Sequence, residues 1–231
     1  MTGDLAGAEL RLVTPGQVIG SAAGKRTGTG TFATGEEIIA TRLGWVRDYE
    51  GVISVDAVNT FYLPRSGDLV LGIVESVRNN LWFAEINGAF NGLLPMSLAP
   101  WKVEFGAARE QMDVGDCILA RVQEVDETHN VVLTMKGVGL RKLSDGVIVE
   151  FAPHHVEKFA NSELDNLKRL REASGCRIIP AQNGRIWIDG DAEGTAFVRS
   201  IINIYSNNGH LSDVCQMASD EIEKHEKRGE A

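Results

Sequence analysis

Short apolar and alternating stretches in the middle of the chain predict five β-strands between residues 64 and 137, and the alternation of apolar and polar residues is clearest in the last two. In the fourth strand Ile118, Ala120 and Val122 alternate with Leu119 and Arg121. Five short strands with a long third connection, which has a helical stretch near Ala107–Met112, are typical of a Greek-key OB-type barrel. The strands are Leu69–Val77, Leu81–Ile86, Phe90–Leu94, Cys117–Val125 and Val131–Lys136.

The pattern changes after residue 143, where helical periodicity joins the strands. Pro153 begins a helix at a position where proline is tolerated, and Leu164, Leu167 and Leu170 give a second helix an apolar stripe. Asn183-Gly184 indicates a hairpin between two further strands. The order strand–helix–helix–strand–strand–helix is that of a type I KH domain. Its other elements are Val147–Phe151, Arg177–Ile179, Arg185–Ile188 and the helix Ala192–Tyr205.

These patterns predict a multidomain protein of mainly β and α+β structure. Residues 1–63 have glycine-punctuated short strands and form a small N-terminal β domain. Residues 64–143 form the barrel and residues 144–206 the KH domain. Residues 207–231 form a charged amphipathic helix with an acidic tail, whose apolar side contains Val214, Met217 and Ala218.

Composition indicates a cytoplasmic protein. No apolar run approaches the roughly 18–20 residues that span a bilayer, and Met1–Leu10 lacks the basic start of a secretory signal. The three cysteines, Cys117, Cys176 and Cys215, are scattered and form no CxxC pair. This spacing favours small buried thiols over a disulfide framework or a zinc site.

Charge limits how the chain can bind nucleic acid. The net charge is −9, and residues 1–63 contain 5 basic and 7 acidic residues, residues 64–143 contain 8 and 10, and residues 144–231 contain 10 and 15. Because no domain is net positive, RNA binding requires a local basic patch or positive charge from a partner.

No motif predicts catalysis, a metal or a cofactor. The segment Gly24-Lys25-Arg26-Thr27-Gly28-Thr29-Gly30 lacks the spacing of a phosphate loop and the hydroxyl that would bind magnesium. None of the five histidines belongs to an HExxH motif or lies near a CxxC pair, and the sequence contains no Gly-x-Ser-x-Gly nucleophile elbow. We therefore predict that the protein is not an enzyme.

The outer face of the barrel is the candidate RNA-binding surface. Alternation places Phe83 outside, beside Arg78, and it places Arg121 and Lys136 outside on the last two strands. An exposed ring flanked by cations is a stacking platform for single-stranded bases; an ordinary solvated face with one aromatic is the alternative. A second candidate is the basic run of Lys136, Arg141 and Lys142.

Three groups of motifs along residues 10–206 resemble a known family, the RNA-binding cap subunits of the archaeal exosome. They correspond in order to the N-terminal, S1 and KH domains of that family. The first group is Val13-Thr14-Pro15-Gly16, Gly28-Thr29-Gly30-Thr31 and Tyr62-Leu63-Pro64-Arg65-Ser66-Gly67-Asp68. The second is Gly67-Asp68-Leu69-Val70-Leu71-Gly72-Ile73-Val74, Phe83, Gly92-Leu93-Leu94, Val114-Gly115-Asp116 and Glu124-Val125-Asp126. The third is Ala173-Ser174-Gly175-Cys176-Arg177-Ile178 and Gln182-Asn183-Gly184-Arg185-Ile186-Trp187-Ile188.

The resemblance implies a non-catalytic subunit that binds single-stranded RNA. Three copies would form a cap on a hexameric ring of phosphorolytic RNase subunits and guide RNA 3′ ends into it for 3′-to-5′ degradation or processing. It implies RNA-binding roles for Phe83 and Asp126 and a structural role for Asn183 and Gly184 in the KH motif.

The chain also departs from the family pattern. Asn80, Pro95 and Asn130 replace a surface aromatic, a histidine and a basic residue of the S1 face. Residues 160–163 lack both glycines of the GxxG phosphate clamp of KH domains, and Glu163 would repel phosphate. We therefore expect the KH domain to pack against the barrel and a neighbouring cap subunit instead of binding RNA.

Two other functions remain as alternatives. A NusA-like transcription factor has the order S1 then KH, but it has two KH domains and this chain has room for one. An RNase like polynucleotide phosphorylase has KH before S1 and needs catalytic domains that the sequence lacks.

Overall fold

The computed structural model describes residues 11–49, 51–58, 61–102, 104, 106–161, 164–209, 211 and 213–229. Contacts divide the chain into two units, one within residues 1–60 and one within residues 61–231. The predictions for Met1–Leu10 and for Ser162 and Glu163 lie outside the described residues.

The first unit contains two small β-sheets. Its strands are β1 (Leu12–Val13), β2 (Val18–Ser21), β3 (Arg26–Thr27), β4 (Thr31–Thr34), β5 (Glu37–Ala40), β6 (Gly44–Tyr49) and β7 (Val52–Ala57). One sheet has the order β1-β6-β7-β3 and the other the order β2-β5-β4. Every second residue of β7 is buried, and Val13, Ala40 and Val55 form a small core.

The second unit begins with the predicted five-stranded OB-type barrel, which the structure confirms. Its elements are β8 (Leu69–Val77), β9 (Leu81–Glu85), β10 (Gly92–Pro95), α1 (Ala108–Gln111), β11 (Cys117–Val125), β12 (Val131–Thr134) and β13 (Arg141–Leu143). The strands follow the order β12-β10-β9-β8-β11, and pairing of β11 with β12 closes the barrel. The short strand β13 extends the edge of β11.

Alternation along the barrel strands builds a closed apolar interior. Trp82, Ala84 and Ile86 are fully buried, as are Leu133 and Met135. The Trp82 Nε1 donates a hydrogen bond to the carbonyl oxygen of Met112 at 3.0 Å, so the one polar atom of the ring is satisfied. Tyr62, which the sequence prediction placed in residues 1–63, also packs in this core.

The KH domain completes the second unit with three strands and three helices. They are β14 (Val147–Glu150), α2 (Val156–Ala160), α3 (Asn166–Ser174), β15 (Arg177–Ala181), β16 (Arg185–Asp189) and α4 (Ala192–Asn208). The sheet is antiparallel with the order β14-β16-β15. A 3₁₀ turn begins at Pro153 and leads into α2.

One helix boundary in this region differs from the prediction. The second helix begins after Leu164, because Asp165 has a left-handed backbone (φ 50°) and α3 begins at Asn166. The C-terminal helix α5 (Val214–Gly229) packs Val214, Ala218 and Ile222 into the KH core. The predicted C-terminal helix therefore packs on the KH domain through its apolar side.

Candidate nucleic-acid interface

The outer face of the barrel carries an apolar row centred on Phe83. Its neighbours Trp82 and Ala84 are buried inside, so Phe83 points outward, where it is half-buried. Phe83 stands opposite Leu93 of β10, and Leu93 stands beside Val132 of β12. Because opposite residues of neighbouring strands share a face, the three side chains form one row. An aromatic ring on such a face can stack a nucleic-acid base.

Basic side chains lie on the same outer face. Arg121 of β11 is exposed and stands opposite Thr134 of β12, and its guanidinium donates a hydrogen bond to the carbonyl oxygen of Gly67. Lys136 lies two residues beyond Thr134 and is exposed as well. Arg78 is exposed in the turn before β9. The strand register therefore brings Arg121 and Lys136 towards one another, with Arg78 at the edge of the face.

Asp126 organises the turn between β11 and β12. Its carboxylate accepts hydrogen bonds from the backbone N–H and the hydroxyl of Thr128, at 2.8 and 2.7 Å, and from the backbone N–H and the amide of Asn130, at 2.9 and 2.8 Å. The Asn130 side-chain amide, followed by the Thr128 hydroxyl, lowers the pKa of Asp126 to about 2. A carboxylate held charged in this way would repel phosphate, so its geometry fits a role in shaping the loop.

The basic run Lys136, Arg141 and Lys142 is not one patch in the structure. The Lys142 ammonium lies 2.6 Å from the carboxylate of Asp116. Burial is the largest single influence on the pKa of Asp116 and raises it, but the hydrogen bonds from Lys142 and from the Asp113 backbone N–H, together with the Lys142 charge, lower that pKa overall. The Arg141 guanidinium lies 5.7 Å from the ring centre of Trp187 in the KH domain. Of this run, Lys136 lies near Arg121 on the exposed part of the outer face, whereas Arg141, which stands opposite Leu119 on the same face, lies against the KH domain.

An aromatic pair that the sequence did not predict stands at the other end of β10 and β12. The rings of Phe90 and His129 are stacked, with centroids 5.7 Å apart and an interplanar angle of 9°. Phe90 is 52% exposed. The parallel pairing of Gly92 with Val131 places both residues just before their strands. Only this long-range register could have revealed the pair, because the two residues belong to different local patterns.

Asn183 joins the KH domain to the barrel. Its side-chain oxygen accepts a hydrogen bond from the backbone N–H of Leu71 at 3.2 Å. Its side-chain amide donates to the carbonyl oxygens of Leu71 and Ile86 at 2.8 and 2.9 Å. Asn183 is fully buried, so these bonds are shielded from water. The Arg185 guanidinium adds an ion pair with Glu85 of the barrel.

The loop that presents Asn183 depends on Gly184. Its φ of +74° is a backbone conformation that side chains other than glycine rarely adopt. A Cβ at this position would lie 2.4 Å from the carbonyl oxygen of Phe151. Gly184 is thus the residue that allows the hairpin to turn into the barrel surface.

An apolar cluster lies around this polar clamp. The side chains of Leu71 and Leu119, on the outer face of the barrel, are buried because Trp187 and Ala181 of the KH domain cover them. The outer face of the barrel is therefore divided: one part is closed by the KH domain and the part around Phe83 stays open to solvent.

The described part of the chain offers neither a metal cluster nor a membrane-spanning helix. Its residues contain no group of three or more His, Cys, Asp or Glu side chains that could hold a metal ion. No helix among them is both long enough and apolar enough to cross a bilayer.

Comparison with known proteins finds relatives that are named exosome complex component Rrp4. The chain is 30% identical over 200 residues to exosome complex component Rrp4 of Picrophilus torridus, which covers 87% of this chain and 86% of the relative. It is 30% identical over 202 residues to exosome complex component Rrp4 of Methanococcoides burtonii, covering 87% and 76% respectively. None of these relatives is named as an elongation factor.

A solved structure agrees with the relatives. A crystal structure assigned to an exosome complex RNA-binding protein matches with a TM-score of 0.63 and 29% sequence identity, covering 73% of this chain and 98% of that one. No family model matches the chain.

Proposed function

The chain belongs to the Rrp4 family of exosome complex components, and from this premise we propose that it is the RNA-binding cap subunit of an exosome. It would bind single-stranded RNA and guide 3′ ends into a ring of RNase subunits, without cutting RNA itself. The observation that carries the proposal is the match of 30% identity across 87% of the chain to a relative named as an exosome component.

Within the chain, RNA binding is assigned to the open part of the barrel face. Phe83 would stack a base, while Arg121, Lys136 and Arg78 would contact phosphates. Asp126 would hold the adjacent loop. Arg141 and Lys142 would act indirectly, because the Arg141 guanidinium lies against the Trp187 ring and the Lys142 ammonium forms an ion pair with Asp116. With a net charge of −9, the chain needs this local patch to attract RNA.

The partners follow from the same proposal. The N-terminal unit would dock on a hexameric ring of phosphorolytic RNase subunits, and three copies of the chain would surround the pore. The KH domain would hold the barrel in position through Asn183 and Arg185. The assembly would work in the cytoplasm.

Reconstitution with the RNase-ring subunits of the same organism tests this proposal. We expect the chain to elute with the ring and the assembly to bind single-stranded RNA more tightly than the chain alone. Phosphate-dependent RNA decay should require the ring. A chain that stays monomeric in the presence of the ring would contradict the proposal.

The barrel face is tested by the double variant Arg121→Ala and Lys136→Ala in the assembled complex. We expect lower RNA affinity, and the slope of log affinity against log salt should decrease by about 0.7 for each phosphate that the variant no longer neutralises. The matched control is Lys168→Ala with Arg199→Ala, two exposed cations of the KH helices with the same change in charge. Equal affinity of wild type and barrel variant would remove this face from RNA binding.

A further inference from the structure

A cleft opens beside the barrel face, where β10 and β12 end. It has a volume of about 560 Å³ and is lined by Met96, Ser97, Ala99, Pro100, Trp101, Lys102 and Lys136. Pockets that hold small molecules have volumes of roughly 300–1,000 Å³, so one nucleotide unit fits this space.

The walls of the cleft are anchored to the barrel. The backbone N–H of Met135 donates to the carbonyl oxygen of Leu98 at 2.9 Å, and the N–H of Met96 donates to the carbonyl oxygen of Asn80 at 3.1 Å. Trp101 is half-buried and packs against the barrel core. The indole therefore has a supported position, with part of its surface open to solvent.

The lining chemistry favours a polyanion with a flat ring. Two of the seven lining residues are lysines and none carries a carboxylate. Within the described part of the chain, neither Lys102 nor Lys136 forms an ion pair, whereas Lys142 is occupied by Asp116. Ammonium groups attract phosphate, and an indole face stacks on nucleic-acid bases.

The cleft is continuous with the face around Phe83. Pro95, which precedes the first lining residue, stands opposite Leu81 of β9. Lys136 follows Thr134, the strand partner of Arg121. An extended strand that stacks on Phe83 and passes Arg121 would therefore meet the cleft next.

We propose that this cleft is a nucleotide subsite for single-stranded RNA, with a phosphate between Lys102 and Lys136 and a base against Trp101. The inference rests on the proposed function and extends it, because the sequence assigned no role to Trp101 or Lys102. We favour RNA over a protein partner because lysines without ion pairs beside an aromatic side chain can bind both the phosphate and the base of a nucleotide.

Binding of a labelled oligoadenylate to the assembled complex tests the subsite. Trp101→Leu keeps an apolar side chain on the barrel core but removes the stacking surface, and we expect affinity to fall by roughly fivefold or more. Trp101→Phe keeps an aromatic face and should retain most of the affinity. Lys102→Ala changes an exposed residue, so it should not affect folding, and should lower the salt slope by about 0.7.

Crosslinking supplies a direct readout. An oligonucleotide with 4-thiouracil should crosslink to the peptide that contains residues 96–102 in the wild type. Lys168→Ala, which removes an exposed lysine on α3, is the control and should bind RNA as the wild type does. Circular dichroism melts establish that each variant is folded.

The outcomes separate the subsite from the proposed function. If Arg121→Ala with Lys136→Ala weakens RNA binding while folded Trp101→Leu and Lys102→Ala bind normally, the subsite is wrong and the barrel face stands. If the cleft variants no longer assemble with the RNase subunits but keep their RNA affinity, the cleft binds protein and the proposed subsite is again wrong. If the wild-type complex binds no RNA, the proposed function itself fails.

Discussion

Asp126 illustrates how a single side chain can hold a surface turn in one conformation. Both of its carboxylate oxygens accept hydrogen bonds within the turn between β11 and β12. The same turn contains His129, whose backbone is left-handed (φ 63°) and whose ring stacks on Phe90. The carboxylate therefore fixes the loop that places an aromatic pair at the end of the barrel face.

The pKa of Asp126 leads to a pH-dependent prediction. Because the pKa is lowered from 3.8 to about 2 in the folded chain, the carboxylate stabilises the fold fully above pH 3.8 and loses that effect as the pH falls through about 2. Asp126→Asn removes the charge at every pH. We expect the stability difference between wild type and this variant, measured by urea unfolding, to shrink across this acid range.

A carboxyl-resolved NMR titration provides the check on that prediction. Glu127 is an exposed carboxylate one residue further along the same turn, and Glu127→Gln serves as a control that should leave the Asp126 titration in place. A midpoint of Asp126 near 3.8 would rule out the hydrogen-bonded carboxylate described above.

At the scale of elements, the spacing of apolar residues along α5 determines how this helix packs. Val214, Ala218 and Ile222 recur every four residues and are fully buried in the KH core. The Arg169 guanidinium of α3 donates to the Ser219 hydroxyl at 2.7 Å and lies 2.9 Å from Glu226. Through these contacts α5 covers one side of the KH domain.

Two substitutions within α5 test this packing. Ile222→Ala should lower the free energy of unfolding by about 2–5 kcal/mol, because it removes buried methylene groups and leaves a cavity. Met217 is 36% exposed on the same helix, and Met217→Ala should cost less than about 1 kcal/mol. The measurement is chemical denaturation followed by far-UV circular dichroism. A loss for Ile222→Ala as small as that for Met217→Ala would show that α5 is not part of the cooperative core.

At the scale of the whole molecule, the barrel and the KH domain of the second unit behave as one body. The clamp of Asn183 and Arg185 on Leu71 is surrounded by the apolar cluster of Leu119, Trp187 and their neighbours. Polar bonds set the register of the contact, and the apolar cluster excludes water from it. A KH domain held in this way can position the barrel.

Asn183→Ala tests the clamp. The change leaves the N–H of Leu71 and the carbonyl oxygen of Ile86 without the side chain that now satisfies them, and we expect a loss of about 2–4 kcal/mol in stability. Asn203 is an exposed asparagine on α4, so Asn203→Ala is the matched control and should change stability by less than about 0.5 kcal/mol.

Urea unfolding monitored by tryptophan fluorescence measures both variants, since Trp82 lies in the barrel and Trp187 at the KH interface. If Asn183→Ala unfolds at the same urea concentration as the control, the clamp contributes nothing to the joint between the two domains.

Local pattern predicted much of this architecture. The predicted bounds of β8 and β11 agree with the structure. Alternation marks β11, whereas β8 is a nearly continuous apolar run with turn residues at both ends. Short strands were less well defined: the third barrel strand begins at Gly92 instead of Phe90. The left-handed turn at Asp165, which delays α3, has no counterpart in hydrophobic periodicity.

The sequence by itself determined the strands of the barrel, the order of the KH elements and the side of the strand on which Phe83 and Arg121 lie, because the period of a strand is local. Only the tertiary structure decided which outward residues stay open. Leu119 and Arg121 lie on the same side of β11, yet Leu119 is covered by the KH domain and Arg121 is exposed. The bonds that cause this difference join residues 112 positions apart, and their pairing depends on how two folded surfaces fit together. For the same reason only the tertiary structure shows that Arg141 lies against Trp187 and Lys142 against Asp116. It also shows that Trp101 and Lys102 line a cleft together with Lys136.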